Sequence, residues 1–112
     1  MGKIFRTNLY KTDLGKVYLY SLSCFGEQVA NETLNQIKEV EQNALNDKNF
    51  GTINEKYHSK IFRYKTTKNK QTVFFHHLID GVVMITVGYC GREWKLILKK
   101  IEDEILNKTI FI

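Results

Sequence analysis

The chain has 112 residues, a formal charge of +5, two cysteines and no proline. That length suits one compact domain, 1–112, and the ordinary apolar content excludes a disordered chain or a proline-rich linker. No apolar run approaches the roughly 18 residues of a membrane span, and no apolar segment follows the charged N-terminus as a secretory signal would require.

Residues 3–10 (K-I-F-R-T-N-L-Y) and 16–22 (K-V-Y-L-Y-S-L) are rich in aromatic and β-branched residues, and K-T-D-L-G between them is a turn cluster. The pattern predicts a β-hairpin. Ser23 then stands as a cap, with Glu27 near the positive end of a helix. Over residues 26–46 the period changes. Ala30, Leu34, Ile37, Ala44 and Leu45 form one helical stripe, with Val40 at its margin. The helix ends in N-D-K-N-F-G, and residues 47–56 read as a polar loop.

Residues 58–68 predict a third strand, short in apolar residues and flanked by lysines that suit a sheet margin. Residues 72–79 and 82–88 predict two more strands joined at Asp80-Gly81, a pair that tolerates the positive φ of a tight turn. The run V-V-M-I-T-V does not alternate, so this pair is expected to be covered on both faces. Residues 92–107 predict a second helix with Trp94, Leu98, Ile101 and Ile105 on its apolar face. The order β-β-α-β-β-β-α predicts an α/β (α+β) three-layer sandwich. Its five-stranded sheet is mostly antiparallel, with helices on both faces.

Few residues announce chemistry. Two distant cysteines, Cys24 and Cys90, point to free thiols in a reducing compartment. His76 and His77 are adjacent on a strand, so they face opposite ways and cannot share one ion. No metal site and no cofactor is expected. Lys60, Arg63, Lys65, Lys68 and Lys70 interleave with Phe62 and Tyr64, a pattern that suits a nucleic-acid face or a guarded edge strand.

The element order and the run F-F-H-H-L-I-D-G-V-V-M-I-T-V, followed by the helix L-I-L-K-K-I-E-D-E-I-L, resemble the longin domain. Phe75, His76, Leu78 and Ile79, then Gly81, Val82, Met84, Ile85 and Thr86, then Leu98, Ile101 and Ile105 carry the resemblance. It implies a non-enzymatic module of vesicle trafficking that binds a SNARE segment, a coat or a tether subunit. Its groove would lie between the first helix and the third strand, with Ile61, Phe62 and Tyr64 as partner-binding residues. The implied place is the cytoplasm or the cytoplasmic face of endomembranes, with peripheral rather than transmembrane attachment. The resemblance also requires residues 3–10 to form a central strand beside residues 82–88.

A second resemblance lies in another class. The C-terminal strands and the turn V-G-Y-C-G-R-E-W are similar to RelE/ParE-type toxins, which often end the last strand in a Gly-His-Arg-x-Glu-type run. Arg92 and Glu93 match that run. This implies a ribosome-dependent mRNA endonuclease, with nucleic acid as partner and Arg63, Lys65, Lys70, Tyr89 and Arg92 stabilising phosphate charge and moving protons. The departure is at Gln71-Thr72, where that family has an arginine.

Overall fold

The computed structural model describes residues 2–53 and 62–106. These form β1 (Lys3–Arg6), α1 (Asn8–Phe25), α2 (Glu27–Asn46), β2 (Thr52–Ile53), β3 (Arg63–Thr66), β4 (Gln71–Leu78), β5 (Gly81–Tyr89) and α3 (Trp94–Leu106). The sheet order is β1-β5-β4-β3-β2, with β1 parallel to β5 and the other neighbours antiparallel. The predicted class therefore stands: an α+β fold with a five-stranded, mostly antiparallel sheet between helical layers.

The N-terminal half is ordered differently from the sequence expectation. Residues 16–22 are not the second arm of a hairpin but the middle of α1. The helix starts because Thr7, in extended backbone, accepts the Tyr10 N–H on its hydroxyl at 3.0 Å. The same hydroxyl donates to the Ile85 carbonyl at 2.8 Å, tying the cap to β5. Tyr10, Asp13, Val17 and Ser21 are buried at helical spacing. Two of those four are polar, which hid the period. Gly26 has φ +88°, ends α1 through its N–H to the Leu22 carbonyl, and lets α2 begin at the next residue.

This corrects the longin resemblance at its foundation, since an N-terminal hairpin is what that order requires. β1 does lie beside β5, with Lys3 paired to Gly81 and Arg6 to Met84, but at the sheet edge rather than its centre. β3 is one strand in from the other margin, because Thr52–Ile53, expected as loop, adds a short strand outside it. Lys60 and Ile61, both singled out above, lie outside the described residues.

β4 and β5 are the covered central pair that their non-alternating apolar residues predicted. On one face Val73, Phe75, Val82, Met84 and Val87 pack against Tyr10 and Val17 of α1 and Ile37, Val40 and Ala44 of α2. On the other, Phe74, Val83 and Ile85 pack against Trp94, Leu98 and Ile101 of α3. Val40, assigned to the margin of its helix, is buried, and so is Glu41 beside it. Glu41 takes a two-pronged contact from Arg6 of β1, at 2.7 and 3.2 Å, and the Tyr10 hydroxyl of α1 at 2.7 Å. One carboxylate thus fastens the helical hairpin to the sheet. Burial, then the charge and hydrogen bond of Glu41, push the Tyr10 hydroxyl far above the ordinary tyrosine range.

Candidate functional site: a basic, aromatic groove at the end of the sheet

A groove of about 740 Å³ opens where the helical hairpin meets the end of β4 and β5. α1 contributes Asp13, Lys16, Val17, Tyr20 and Phe25, and α2 contributes Val29 and Thr33. The β3–β4 turn contributes Lys68, Asn69 and Lys70, while Tyr89 and Arg92 come from the end of β5 and its turn. Its charged residues are the cations Lys16, Lys68, Lys70 and Arg92 and a single acid, Asp13. Asp13 is itself occupied, accepting the Thr86 hydroxyl at 2.6 Å. The balance of charge favours an anion, and the apolar and aromatic walls favour flat rings.

The β3–β4 turn is held firmly. Lys70 has φ +66°, an unusual conformation for a residue with a Cβ. Its N–H donates to the Thr67 carbonyl at 2.9 Å, and its carbonyl accepts the Cys90 N–H at 2.9 Å. Asn69 donates its N–H to Gln36 Oε1 and its Nδ2 to Thr33 Oγ1, each at 2.9 Å, so α2 carries the turn. Strained backbone maintained by surrounding bonds marks a position where geometry matters.

The aromatic wall is exposed. Tyr20, Phe25 and Tyr89 are each more than half accessible, and the rings of Tyr20 and Phe25 meet edge to face at 6.4 Å. A hydrogen bond with Cys24, then the charge of Cys24, holds the Tyr20 hydroxyl above its ordinary value.

Of the residues singled out for a toxin-like site, Lys70, Tyr89 and Arg92 come together in this groove. Arg63 and Lys65 do not line it. The Arg63 guanidinium donates to the carbonyls of Gly51 at 3.1 Å and Asn49 at 3.4 Å, and Lys65 is exposed on β3. Gln71 and Thr72 occupy the position where an arginine was expected. Both are buried, and Thr72 pairs across the sheet with Gly88. Of the residues singled out as partner-binding, Phe62 is buried in the α3-side core and Tyr64 is half-buried with its ring 5.8 Å from Phe74. Lys16 and Tyr20 were missed because residues 16–22 were read as a strand, and Phe25 because it fell between that strand and the next helix. The signal that could have found them is Thr7, an N-cap three residues ahead of Tyr10.

No protein-family model matches the chain, and the curated proteins hold no match to it. Among solved structures the chain is similar to one described as the chromosomal ParDE toxin–antitoxin system from P. aeruginosa. The TM-score is 0.66 at 15% identity, over 80% of this chain and 96% of that one. At that identity the likeness is one of fold. It overturns the longin resemblance, and with it the vesicle-trafficking role and the SNARE, coat or tether partners that the resemblance implied. No helix among the described residues is long and apolar enough to cross a membrane. The fold this chain shares is that of a chain in a ParDE toxin–antitoxin structure.

Proposed function

We propose that residues 1–112 form one domain that acts as a RelE/ParE-like toxin, cleaving ribosome-bound mRNA in the cytoplasm, with an antitoxin as its protein partner. The observation that carries this reading is the convergence of Lys70, Tyr89 and Arg92 in one groove, on a fold similar to that of a ParDE toxin–antitoxin structure. Lys16 and Lys68 extend the cationic surface for a phosphate backbone. Tyr20 and Tyr89 offer rings on which bases stack. Breaking a phosphodiester bond requires stabilising charge on the phosphate oxygens and moving protons to and from the attacking and leaving oxygens. In this reading Lys70 and Arg92 serve the first need and the Tyr89 hydroxyl serves the second.

The test is mRNA integrity in a translating extract given purified protein. Cleavage is expected with the wild type and absent with Arg92→Ala. Intact mRNA at high protein concentration would refute the reading. A second measurement is the salt dependence of single-stranded RNA affinity. With four groove cations on phosphates, the log–log slope should be about −3, and each lysine removed should flatten it by about 0.7.

A further inference from the structure

Arg92 differs from the lysines around it in how it is held. Its guanidinium lies over the Trp94 ring, 5.1 Å from the centroid. Beneath it is bare backbone: a Cβ on Gly88 would come within 2.9 Å of Arg92 Nη1 and 3.2 Å of its Cδ. Trp94 is almost wholly buried in the α3-side core, so its ring is a fixed surface. Its Nε1 donates to the Tyr89 carbonyl at 3.0 Å, and the Arg92 N–H donates to the same carbonyl at 3.2 Å. The Trp94 N–H closes the turn on the Arg92 carbonyl at 2.8 Å. Arg92 is exposed, as Lys16 and Lys68 are, but the lysines are flexible four-carbon stems, whereas the guanidinium has the Trp94 ring beside it.

A guanidinium donates hydrogen bonds in its own plane. A ring against its face fixes it without consuming those donors. A cation fixed beforehand needs no reorganisation when charge develops on a phosphate.

We propose that Gly88 and Trp94 are positioning residues, a seat that presets the Arg92 guanidinium for a phosphodiester of RNA lying in the groove. The proposal rests on the RNA-cleaving reading above and adds to it the reason a glycine stands one residue before the end of β5. Gly88→Ala puts a methyl group where the guanidinium rests and leaves its charge in place.

The experiment uses the intact chain and two readouts. Trp94 is the only tryptophan, so its emission reports on the seat directly. Titration with a single-stranded RNA oligonucleotide should change that emission saturably in the wild type, and not in Arg92→Gln or Gly88→Ala. In the translating extract, Gly88→Ala should lower kcat on the order of a hundredfold, as a misplaced group does. KM should stay within about twofold, because the lysines still bind the backbone. Trp94→Phe is the second variant should Gly88→Ala fail to fold; it keeps a ring and loses the indole N–H, and an intermediate loss of kcat is expected.

Wild-type kcat in either folded variant, or an unaltered emission response in folded Gly88→Ala, would overturn the proposal while leaving the RNA-cleaving reading intact. If the wild type does not cleave, that reading fails. The seat is then decided by emission alone, where a response to RNA that survives Gly88→Ala overturns it.

Discussion

Tyr10→Phe removes one hydroxyl from the junction of β1, α1 and α2, and the consequences can be worked out at two pH values. The hydroxyl donates to the buried Glu41 carboxylate at 2.7 Å. A hydrogen bond to a charged group contributes about 1.5–3 kcal/mol. Glu41 keeps both contacts from Arg6 in the variant, so no acceptor is orphaned and the loss should fall at the low end of that range. At neutral pH the variant should therefore be less stable by about 1.5 kcal/mol, a fall in Tm of roughly 6–12 °C. Alkali should narrow this gap. The Tyr10 pKa is raised in the folded state, so its stabilisation is whole below the unfolded value near 10 and is lost as pH climbs toward the folded one. By pH 11 the wild type should have given up about 1.4 kcal/mol that phenylalanine cannot lose. Exposed groups such as Tyr20 titrate in both proteins and cancel in the difference. Urea unfolding of both proteins at pH 7 and pH 11 measures the two gaps. A gap that stays the same or widens at pH 11 would refute the account of Tyr10 as a buried donor to Glu41.

Other expectations follow from single positions. Gly15 lies in α1 with open space where a Cβ would stand, so Gly15→Ala should stabilise the protein by about 0.5–1 kcal/mol in urea unfolding. Thr7→Ala removes both the cap of α1 and its bond to β5, and should cost about 1–2 kcal/mol by the same measurement. Lys70→Gly relieves the positive φ and should leave stability unchanged or raise it by about 1 kcal/mol, yet weaken RNA binding. Loss of stability there would show that the lysine serves the fold rather than the groove.

Much of the C-terminal half was legible because its signals agree. The apolar residues of β4 and β5, the Asp80-Gly81 turn and the stripe Trp94, Leu98, Ile101 all point to the same layers. Residues 73–75, 82–85 and 87 and the stripe are buried, whereas Ile79, read as part of the fourth strand, is exposed beside the turn. The first helix was not legible. Its aromatic and β-branched residues favour strands, Gly15 suggests a turn, and its buried face carries Asp13 and Ser21. Those polar residues are satisfied or sheltered only by tertiary partners such as Thr86, which local patterning does not reveal. The site divided along the same line. Lys70, Tyr89 and Arg92 sit in the legible half, whereas the groove's opposite wall, Lys16, Tyr20 and Phe25, belongs to the misread helix. Arg63 was legible as a cation but not as one committed to the loop carbonyls of Asn49 and Gly51.

The position of β5 between β1 and β4 bears on how the chain folds. Lys3 pairs with Gly81, and the Thr7 hydroxyl reaches the Ile85 carbonyl across 78 residues. Such distant pairing closes a long loop, so it forms late and slows folding. The edge strand, and the bond that ties the α1 cap to the sheet, have no template until β5 has been synthesised. Tyr89 and Arg92 follow from that same strand. If the protein acts on translating ribosomes as proposed, the ribosome making it is exempt for most of its synthesis, because the groove has no second wall until nearly the whole sheet exists.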